Sequence, residues 1–367
     1  MNRILHVISS LNVGGAEMML WRLLKESSNR PNDNHKVISL LPHGELQGRF
    51  QDEGIEVFSL DIKHKPFSSC SAIFRIIKDF NPGVVQTWMY HADLVGGVLA
   101  RLSGFKNVFW GIRSTHVPKG NLVTYLLMKL LALLSYTVPK KIVCVAESAK
   151  ASHILEGYCA KKMHVISNGY DFDAFAGGPA SDVRGEFNID KQTIVIGCLG
   201  RYHSDKGQDL FIQAVAKLPY KNFKFMLVGR ECTWENEKLV ACIAKHRLEK
   251  FFVLAGERND VASCLSAFDI FCMPSRTEGF PNSLAEAMLM ELPCVAFDVG
   301  DANKLSGIGV ELVPANDIDG LSKTLHNLAS LTLAERKEIG SKASERVNKN
   351  FSIKTIYSEY LNNYELV

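Results

Sequence analysis

The sequence lacks any Cys-x-x-Cys pair, although it contains nine cysteines. The cysteines are scattered, and Cys144, Cys198 and Cys272 lie within apolar runs that are typical of buried strands. A structural zinc site needs clustered thiolate or imidazole ligands, so the pattern predicts no metal site. Isolated thiols of this kind instead indicate small buried hydrophobic groups in a protein that is kept in a reducing compartment.

Long apolar runs are also missing, because no stretch reaches the roughly 18 residues that a membrane-spanning helix requires. The first residues lead directly into a strand pattern and a glycine turn, without the pattern of a secretory signal. We therefore expect a cytoplasmic protein. Any contact with a membrane would be peripheral, at the inner face of the cytoplasmic membrane.

The motif Gly-x-Gly-x-x-Gly is absent as well, so a nicotinamide dinucleotide site is not predicted. What the chain does have is length and apolar content, with 367 residues of which 47% are hydrophobic and 22% are charged. This size suits two domains, and the composition allows each to bury a core, which excludes a disordered chain.

Positive charge is concentrated in the first half of the chain. Residues 1–180 contain 20 Lys and Arg against 14 Asp and Glu, whereas residues 181–367 contain 22 against 25. The imbalance suggests that the first half meets an anionic partner, such as a membrane surface or a phosphate-bearing acceptor. Surface charge without a function is the alternative, and nothing in the pattern predicts a nucleic-acid partner.

Short apolar runs alternate with helical patterns along the chain, which indicates parallel sheets covered by helices on both faces. The alternation is interrupted at residues 165–179, where turn-forming residues accumulate. We therefore predict a doubly wound α/β domain over residues 1–175 and a second one over residues 185–350. A last helix in residues 351–367 is expected to pack back on the first domain. Ligands of such sheets bind beyond the carboxyl ends of the strands.

Two cationic residues follow the strand that is predicted at residues 193–199. Arg201 and Lys206 lie in a short segment bounded by Gly200 and Gly207. Cations at a strand end, followed by the start of a helix, suit a diphosphate whose negative charge grows as it departs. A solvated charged loop is the alternative.

Two glutamates follow the strand that is predicted at residues 270–273. Glu278 lies in a loop, and Glu286 lies eight residues later on the next predicted helix. The backbone N–H groups of residues 279–284 can bind an anion at the start of that helix. The two carboxylates can bind the hydroxyl groups of a sugar and of a ribose. A chance pair of surface glutamates is the alternative.

Two further loops give weaker signals. Gly14 and Gly15 follow the first strand and allow a close approach of the backbone to a ligand, but a plain tight turn explains them equally well. The segment 256–261, which contains Arg258, offers main-chain groups to a nucleobase. A helix cap by Asp260 is the alternative for that segment.

Together these motifs resemble those of glycosyltransferase family 4, a group of retaining enzymes with the GT-B fold of two Rossmann-like domains and a cleft between them. The resemblance spans nearly the whole chain. It rests on Gly14-Gly15-Ala16-Glu17, Asn168-Gly169-Tyr170-Asp171, Gly200-Arg201 with Lys206-Gly207, and Glu278-Gly-Phe-Pro-Asn-Ser-Leu-Ala-Glu286-Ala-Met.

The resemblance implies a nucleotide-sugar donor, UDP-linked by analogy, and neither a cofactor nor a divalent metal, because the cationic pair takes the place of the metal. Arg201 and Lys206 would hold the diphosphate, Glu278 the transferred sugar and Glu286 the ribose. The implied acceptor is a glycan, lipid-linked in bacterial surface polysaccharide assembly, which is the commonest setting for relatives. With Arg258 from the weaker loop, the rest of the predicted donor pocket is Gly15, Gly279, Phe280, Asn282, Ser283 and Leu284.

The acceptor side departs from the family. Many relatives carry a histidine at a strand end of the first domain, near the reacting sugar, whereas this chain has Trp-Gly-Ile-Arg at residues 110–113. Three candidates for that position remain open, namely His91, Arg113 and His116. A helix cap or an ordinary surface histidine is the alternative for His116.

The helix that is predicted at residues 122–136 is apolar nearly all round. Four lysines flank it or lie within it, at positions 119, 129, 140 and 141. This pattern predicts docking on an anionic bilayer that carries a lipid-linked acceptor, with an ordinary buried helix as the alternative.

Three competing functions share some of these features. A metal-dependent GT-A transferase would use Asp-x-Asp, which occurs at residues 171–173 and 317–319, but neither motif follows a clear strand early in the chain. A GT-B-like sugar-nucleotide epimerase or phosphorylase would share the architecture. A non-catalytic nucleotide-sugar binding protein would share the fold without needing both the cationic and the carboxylate pair.

Overall fold

The computed structural model describes residues 2–115, 117–118, 120–172, 175, 180–219 and 222–366. The chain divides into two compact units. The first comprises Met1–Gly169 and Ile353–Val367, and the second comprises Tyr170–Ser352.

The strands and helices alternate in both units. The strands are β1 Asn2–Ile8, β2 Asp33–Ser39, β3 Glu56–Ser59, β4 Val84–Trp88, β5 Val108–Ile112, β6 Lys141–Cys144, β7 Met163–Val165, β8 Ile194–Leu199, β9 Phe223–Val228, β10 Phe252–Gly256, β11 Ile270–Met273, β12 Cys294–Phe297 and β13 Val310–Val313. The helices are α1 Gly15–Ser27, α2 Gln47–Asp52, α3 Pro66–Phe80, α4 Tyr90–Ala92, α5 Val98–Leu102, α6 Leu122–Leu134, α7 Glu147–Leu155, α8 Val183–Glu186, α9 Gln208–Val215, α10 Glu237–Lys245, α11 Val261–Ser266, α12 Asn282–Leu289, α13 Ala302–Leu305, α14 Ile318–Ser330, α15 Leu333–Phe351 and α16 Ile353–Tyr364.

The first unit is built on a seven-stranded sheet in the order β3-β2-β1-β4-β5-β6-β7. Its paired strands are parallel. The central strands β4 and β5 are buried along their whole length, as expected when helices cover both faces of a parallel sheet. The strand order changes direction between β1 and β4, which places the loops after these two strands at the usual ligand position.

The helix α16 completes the core of the first unit, although it is last in the chain. Tyr357, Tyr360 and Tyr364 occur every three or four residues and therefore share one face, and all three are buried. Each of their hydroxyl groups has a polar partner, because Tyr357 donates to Asp33 at 2.8 Å and Tyr364 donates to Gln86 at 3.0 Å. Tyr360 accepts from an arginine at the end of β5.

The second unit is built on a six-stranded parallel sheet in the order β10-β9-β8-β11-β12-β13. Its order changes direction between β8 and β11. The core between the sheet and its helices is rich in aromatic residues, with Phe211, Phe225 and Phe252 in mutual contact. The prediction of two doubly wound, Rossmann-like domains is therefore confirmed.

The division between the units lies before Tyr170 rather than at residue 175. The N–H group of Tyr170 donates to the carbonyl oxygen of Phe351 at 2.9 Å, and its hydroxyl group donates to Asn282 at 2.7 Å. Both partners belong to the second unit. The final helix, α16, lies within the predicted segment 351–367 and belongs to the first unit, and α15 runs on to Phe351 before it.

The secondary structure departs from the sequence pattern in two ways. Residues 90–102 do not form one regular helix, which their apolar pattern indicates, but α4, a π-helical segment Asp93–Gly97 and α5. The sequence pattern also missed several elements, namely α7, β7, α8, α13, α14 and α15. Among the described residues, no helix is both long and apolar enough to traverse a bilayer.

Candidate active site

Two loops leave the second sheet side by side where its strand order changes direction. β8 pairs with β11 through Ile196 and Ile270, so the segments that follow these strands are neighbours. We call residues 200–207 the β8 loop and residues 274–281 the β11 loop. The predicted cationic residues lie on the first loop, and Glu278 lies on the second.

The β8 loop has a fixed backbone. The side-chain amide of Gln208 donates to the carbonyl oxygen of Arg201 at 2.9 Å. Gly207 has a φ of 65°, and a Cβ atom at this position would lie 2.0 Å from the carbonyl oxygen of Pro274. Glycine therefore allows the two loops to touch. The guanidinium of Arg201 is exposed and makes no hydrogen bond or ion pair with the residues that the structure describes.

An ion pair between Lys206 and Glu278 joins the two loops. Lys206 Nζ lies 2.7 Å from Glu278 Oε1, and Ser275 Oγ donates to the same oxygen at 2.7 Å. The side chain of Glu278 is 10% exposed and that of Lys206 is 30% exposed. Because an ammonium group has three donors and a carboxylate has two oxygens, both side chains keep capacity for a ligand.

Arg276 fastens the loops together, a role that the sequence did not reveal. Its guanidinium donates to both carboxylate oxygens of Asp209, at 2.8 and 2.6 Å, and to the carbonyl oxygen of Ser204 at 2.8 Å. The backbone N–H group of Arg276 donates to the carbonyl oxygen of Asp205 at 2.7 Å. The hydrogen bonds from Arg276 lower the pKa of Asp209. The partner Asp209 lies 67 residues away in the sequence, so no local motif signals the pair.

The β11 loop leads into α12 through aromatic packing. The ring of Phe280 stacks on that of Tyr170 with 6.4 Å between centroids, and the Tyr170 hydroxyl donates to Asn282 at 2.7 Å. No side chain caps the amino end of α12. The amino end of α12 therefore lies where the sequence predicts an anion-binding element, and that role stays a prediction.

The other predicted donor residues of this loop differ in what they can offer. The side chains of Phe280 and Leu284 are buried in the protein, so only their main-chain atoms can face a ligand. Ser283 and Glu286 are partly exposed on α12. Gly279 accepts at its carbonyl oxygen from the N–H group of Asp301 at 2.9 Å, which holds the loop from the other side.

Arg258 is committed to an internal network. Its guanidinium donates to both oxygens of Asp260 at 2.8 Å and to Glu186 at 2.7 Å. Ser181 also donates to Asp260, at 2.6 Å. Hydrogen bonds from Arg258 hold the pKa of Asp260 well below its usual range. The guanidinium thus stabilises the segment around the α11 start, and the Asp260 side chain does not cap that helix.

In the first unit, Gly15 begins α1 directly after the loop that follows β1. The carboxylate of Glu17 folds back over this loop, since a Cβ atom on Gly14 would lie 2.5 Å from Glu17 Oε2. Ser10 Oγ donates to Glu17 Oε1 at 3.4 Å. Burial raises the pKa of Glu17. A carboxylate of the chain itself therefore sits beside the amino end of α1.

Arg113 is held at the carboxyl end of β5. Its guanidinium lies 5.3 Å from the ring centre of Trp88 and donates to the hydroxyl group of Tyr360 at 3.1 Å. It also donates to the side-chain oxygen of Asn168. The three contacts orient Arg113 within the first unit and leave it little freedom to follow a substrate.

The two candidate histidines differ in their placement. His91 lies on α4, immediately after β4, and its side chain is exposed. It makes no hydrogen bond or ion pair with other described residues. His116 lies outside the described residues. Of the three acceptor-side candidates, His91 is the one whose described surroundings leave it available to a ligand.

The Asp-x-Asp motifs do not form a metal site in the described part of the chain. Asp317 accepts from the N–H group of Gly320 at 2.9 Å as the cap of α14, and Asp319 pairs with Lys217. Asp173 of the other motif lies outside the described residues. Among those that are described, no three His, Cys, Asp or Glu side chains are grouped so as to hold a metal ion.

The apolar helix α6 is largely exposed, contrary to the alternative of an ordinary buried helix. Only three of its residues are buried, namely Met128, Leu131 and Ala132. Five large apolar side chains are 45–77% exposed, namely Leu122, Val123, Leu126, Leu130 and Leu133. Lys162 donates to the carbonyl oxygens of Tyr136 and Pro139, so a cation lies at the carboxyl end of the helix.

Comparison with known proteins gives consistent matches over both units. A family model described as Glycosyltransferase Family 4 matches residues 13–174, and one described as Glycosyl transferases group 1 matches residues 193–330. The UDP-Gal:alpha-D-GlcNAc-diphosphoundecaprenol alpha-1,3-galactosyltransferase of Escherichia coli is 26% identical over 71% of this chain and 70% of its own. The capsular polysaccharide biosynthesis glycosyltransferase CapH of Staphylococcus aureus is 24% identical over 98% of this chain and 99% of its own.

Solved structures share the fold of both units. Anabaena Alr3699/HepE in complex with UDP matches with a TM-score of 0.84 and 19% identity, covering 100% of each chain. A glycosyltransferase from Rickettsia africae matches with a TM-score of 0.82 and 20% identity, over 99% of this chain and 98% of that one. The GT-B fold that the sequence motifs implied is confirmed.

Proposed function

The chain belongs to glycosyltransferase family 4 and is a glycosyltransferase, and from this premise we propose that it transfers a hexose with retention from a UDP-sugar to a lipid-linked glycan. The observation that carries the proposal is the junction of the β8 and β11 loops. There the Lys206–Glu278 pair joins the β8 loop, which carries the exposed Arg201, to the β11 loop, which leads into the uncapped amino end of α12.

Each part of the junction suits one part of a nucleotide-sugar. Arg201 and Lys206 bind the diphosphate, with the N–H groups at the start of α12 as further donors. Glu278 accepts from hydroxyl groups of the transferred sugar, and Glu286 accepts from those of the ribose. The side chains that hold the loops, such as Arg276, keep this arrangement rigid before the donor binds.

The reaction follows from where negative charge develops. The bond between the anomeric carbon and the diphosphate oxygen breaks, and the acceptor oxygen bonds to that carbon on the same face. The acceptor hydroxyl proton passes to the departing diphosphate. Arg201 and Lys206 stabilise the charge that grows on the leaving group. An α-linked product from an α-linked UDP-sugar, seen in the anomeric proton coupling, is expected, and a β-linked product would overturn retention.

The nucleotide is proposed to be UDP. The solved relative from Anabaena binds UDP, and the Escherichia coli relative is named for UDP-galactose. A thermal-shift series with UDP-, GDP- and ADP-sugars tests this, because a ligand at 100 times its Kd stabilises the folded protein by about 2.7 kcal/mol. A larger shift with GDP- or ADP-sugars than with UDP-sugars would contradict the proposal.

Transfer is proposed to proceed without a divalent metal, because two protein cations face the diphosphate. Activity is expected to survive treatment with EDTA. Loss of activity with EDTA and its return with Mg²⁺ or Mn²⁺ would instead favour a metal-dependent mechanism. The same assay with the acceptor omitted separates a transferase from an epimerase, since only the latter would convert the nucleotide-sugar without an acceptor.

On the acceptor side we assign His91 to contact with the substrate. Its imidazole is exposed at the carboxyl end of β4, where the strand order of the first sheet changes direction. Arg113, by contrast, already contacts Trp88 and Tyr360. His91→Ala is expected to raise the KM for the acceptor while leaving the Kd for UDP unchanged.

The acceptor is proposed to lie at an anionic bilayer that α6 contacts. The exposed apolar face of α6 provides the apolar surface that would insert into the bilayer. Cations near the carboxyl end of α6, including Lys162 and the exposed Arg101, complement anionic headgroups. The protein should float with liposomes that contain anionic phospholipid, and addition of salt should weaken this.

A pair of matched variants tests the surface. Leu126→Glu is expected to abolish flotation, because Leu126 is 57% exposed on the apolar face. Leu333→Glu changes a residue of the second unit that is 56% exposed, and it should leave flotation intact. Equal behaviour of both variants, or no flotation of the wild type, would overturn the membrane assignment.

A further inference from the structure

The backbone around His91 is fixed on both sides. Tyr90, Ala92 and Asp93 are buried, whereas the intervening His91 is exposed. The Tyr90 hydroxyl lies 2.6 Å from His153 Nε2. The imidazole of His91 therefore projects from a segment whose other side chains are all anchored within the first unit.

Met89, two residues before His91, has a strained backbone. Its φ is 74° and its ψ is 162°, a combination that is essentially restricted to glycine. Its N–H group donates to the carbonyl oxygen of Gly111 at 2.9 Å, and its own carbonyl oxygen accepts from Asp93 N at 2.9 Å. A non-glycine residue persists in this conformation only where its surroundings determine it, and such strain clusters at functional sites.

Asp93 is the side chain that ties this turn to the sheet. Thr87 Oγ1 donates to its Oδ1 at 2.5 Å, and the N–H group of Gly111 approaches the same oxygen at 3.4 Å. Its Oδ2 is buried without a partner among the described residues. Burial raises the pKa of Asp93 to about 8, so the carboxyl group is mostly protonated at neutral pH.

Helix geometry on the carboxyl side of Asp93 presses the same segment against the sheet. Residues 93–97 form a π-helical turn, an element that is rare and frequent at functional sites. A Cβ atom on Gly96 would lie 2.7 Å from Val7, and one on Gly97 would lie 2.4 Å from the indole nitrogen of Trp110. The two glycines thus let the turn sit directly on β1 and β5.

We propose that Asp93 is a positioning residue that locks the strained Met89 turn and thereby fixes the imidazole of His91 towards the acceptor. The functional half of this inference rests on the proposed assignment of His91 to the acceptor. Asp93 itself is buried and touches no substrate. It acts by joining Thr87 of β4 to Gly111 of β5.

The protonation state of Asp93 gives the proposal a specific signature. The groups that face it are Tyr90 on α4, Cys144 on β6 and Tyr158 after α7, and burial raises the pKa of each. These groups stay neutral near pH 8, and Asp93 titrates among them. Above about pH 8 its ionised carboxylate is buried without a cation among the described residues, so the turn should loosen.

Asp93→Asn tests this directly, since an amide has the shape and neutrality of the protonated carboxyl group. At pH 7 the variant should keep acceptor kinetics within about threefold of wild type, and it should lose the fall in activity that wild type shows above pH 8. Asp93→Ala should raise the acceptor KM at least tenfold while the Kd for UDP stays within twofold. UDP-galactose and GlcNAc-diphosphoundecaprenol, the substrates named for the Escherichia coli relative, serve as the probes.

A second readout does not depend on activity. In full-length protein with ¹³C-labelled histidine, His91 should give one sharp resonance, which is assigned by its loss in His91→Gln. This resonance should shift near pH 8, when Asp93 ionises. Asp93→Asn should remove that shift. Met89→Gly relaxes the strained turn without emptying a buried site, so it should broaden the His91 resonance at an unchanged or higher Tm.

The outcomes separate this inference from the proposed function. If neither Asp93→Asn nor Met89→Gly alters the His91 resonance, Asp93 does not position His91 and the inference is wrong. If the resonance changes as expected while His91→Ala keeps normal acceptor kinetics, the positioning is real and the assignment of His91 to the acceptor fails. The double variant Asp93→Ala/His91→Ala should be no worse than His91→Ala, and full additivity would contradict an action through His91.

Discussion

At the scale of single residues, Lys206 and Glu278 form a partly buried ion pair of modest energetic value to the fold. Pairs that are partly exposed to solvent contribute about 0–1 kcal/mol to stability. Their position is therefore better explained by the donor, whose diphosphate and sugar need a cation and a carboxylate close together. Substitution should accordingly affect turnover far more than stability.

Lys206→Ala and Glu278→Ala are each expected to lower turnover at least tenfold, which corresponds to about 1.4 kcal/mol. The Tm should change little. Lys217→Ala is the matched control, because Lys217 also pairs with a carboxylate of the second unit, that of Asp319, but lies away from the loops. Steady-state kinetics with thermal unfolding check the prediction, and equal turnover in all three variants would exclude the pair from the mechanism.

Arg276→Lys should weaken UDP binding roughly fivefold. Lysine keeps the positive charge but loses the two hydrogen bonds to Asp209 that help to fix the neighbouring β8 loop. The lost hydrogen bonding is about 1 kcal/mol, which corresponds to that change in Kd. Isothermal titration with UDP measures this. Arg346→Lys is the control, since Arg346 lies on α15 and donates to the carbonyl oxygen of Lys304. An unchanged Kd for Arg276→Lys would show that the β8 loop keeps its shape without the Arg276–Asp209 hydrogen bonds.

The proposed donor residues could be placed on neighbouring loops from the sequence because each lies within a few residues of a strand end. Arg201, Lys206 and Glu278 are positioned by local turns, so a short motif contains most of the information. Arg258 and Arg276 were harder to interpret, because their partners Glu186 and Asp209 lie 72 and 67 residues away. Only the folded sheet brings such pairs together.

At the scale of elements, a directional chain of hydrogen bonds fastens α16 to the first sheet. The indole N–H of Trp88 donates to His6 Nδ1, so His6 Nε2 must donate to His35 Nδ1, at 3.0 Å. His35 Nε2 then donates to the hydroxyl group of Tyr357 at 3.0 Å, which donates to Asp33. Every link has one donor and one acceptor only if both imidazoles are neutral.

Tyr357→Phe is expected to lower the free energy of unfolding by about 1–3 kcal/mol, because it leaves the buried Nε2–H of His35 without an acceptor. Urea titration at pH 7 measures this. Tyr136→Phe provides the control, since Tyr136 is 59% exposed, and it should be neutral. A neutral Tyr357→Phe would mean that the chain of hydrogen bonds adds nothing to the docking of α16.

The sequence predicted most elements of the two sheets but missed α14 and α15. The residues that cap these two helices were either overlooked or interpreted as ligands. Thr332 and Glu335 form a reciprocal capping box at the start of α15, a pattern that is visible in the sequence. Asp317 was considered as part of a metal-binding motif, whereas it caps α14. Residue types that serve both caps and ligands cannot be separated without the surrounding backbone.

At the scale of the whole molecule, buried titratable groups give stability an optimum in pH. Burial lowers the pKa of His35 to about 4 and that of His6 well below its usual range. As the pH falls, both imidazoles bind protons in the unfolded chain before they do so in the folded protein. Stability is therefore lost as the pH falls from about 6.5 towards 4. Asp93, with its raised pKa, has the opposite effect, because its contribution is full below about pH 4 and is lost as the pH rises from there through 8.

The free energy of unfolding should therefore be greatest near pH 6–7. For His35 alone, the free energy of unfolding that is lost on acidification is at most about 3 kcal/mol. This follows from its pKa shift, because each pKa unit corresponds to about 1.36 kcal/mol. Urea titrations at pH 5, 6.5 and 8.5 check the curve. His35→Gln should flatten the acid side, and Asp93→Asn should flatten the alkaline side. A monotonic rise of stability from pH 5 to 8.5 in the wild type would contradict the assignment.

The placement of α16 also constrains how the protein is made. The core of the first unit needs Tyr357, Tyr360 and Tyr364, yet these residues are synthesised only after the whole second unit, Tyr170–Ser352, has been translated. Domains generally fold in order of synthesis, the N-terminal one first. Here the first unit lacks part of its core until synthesis ends, so the second unit is expected to be the first to reach its native state.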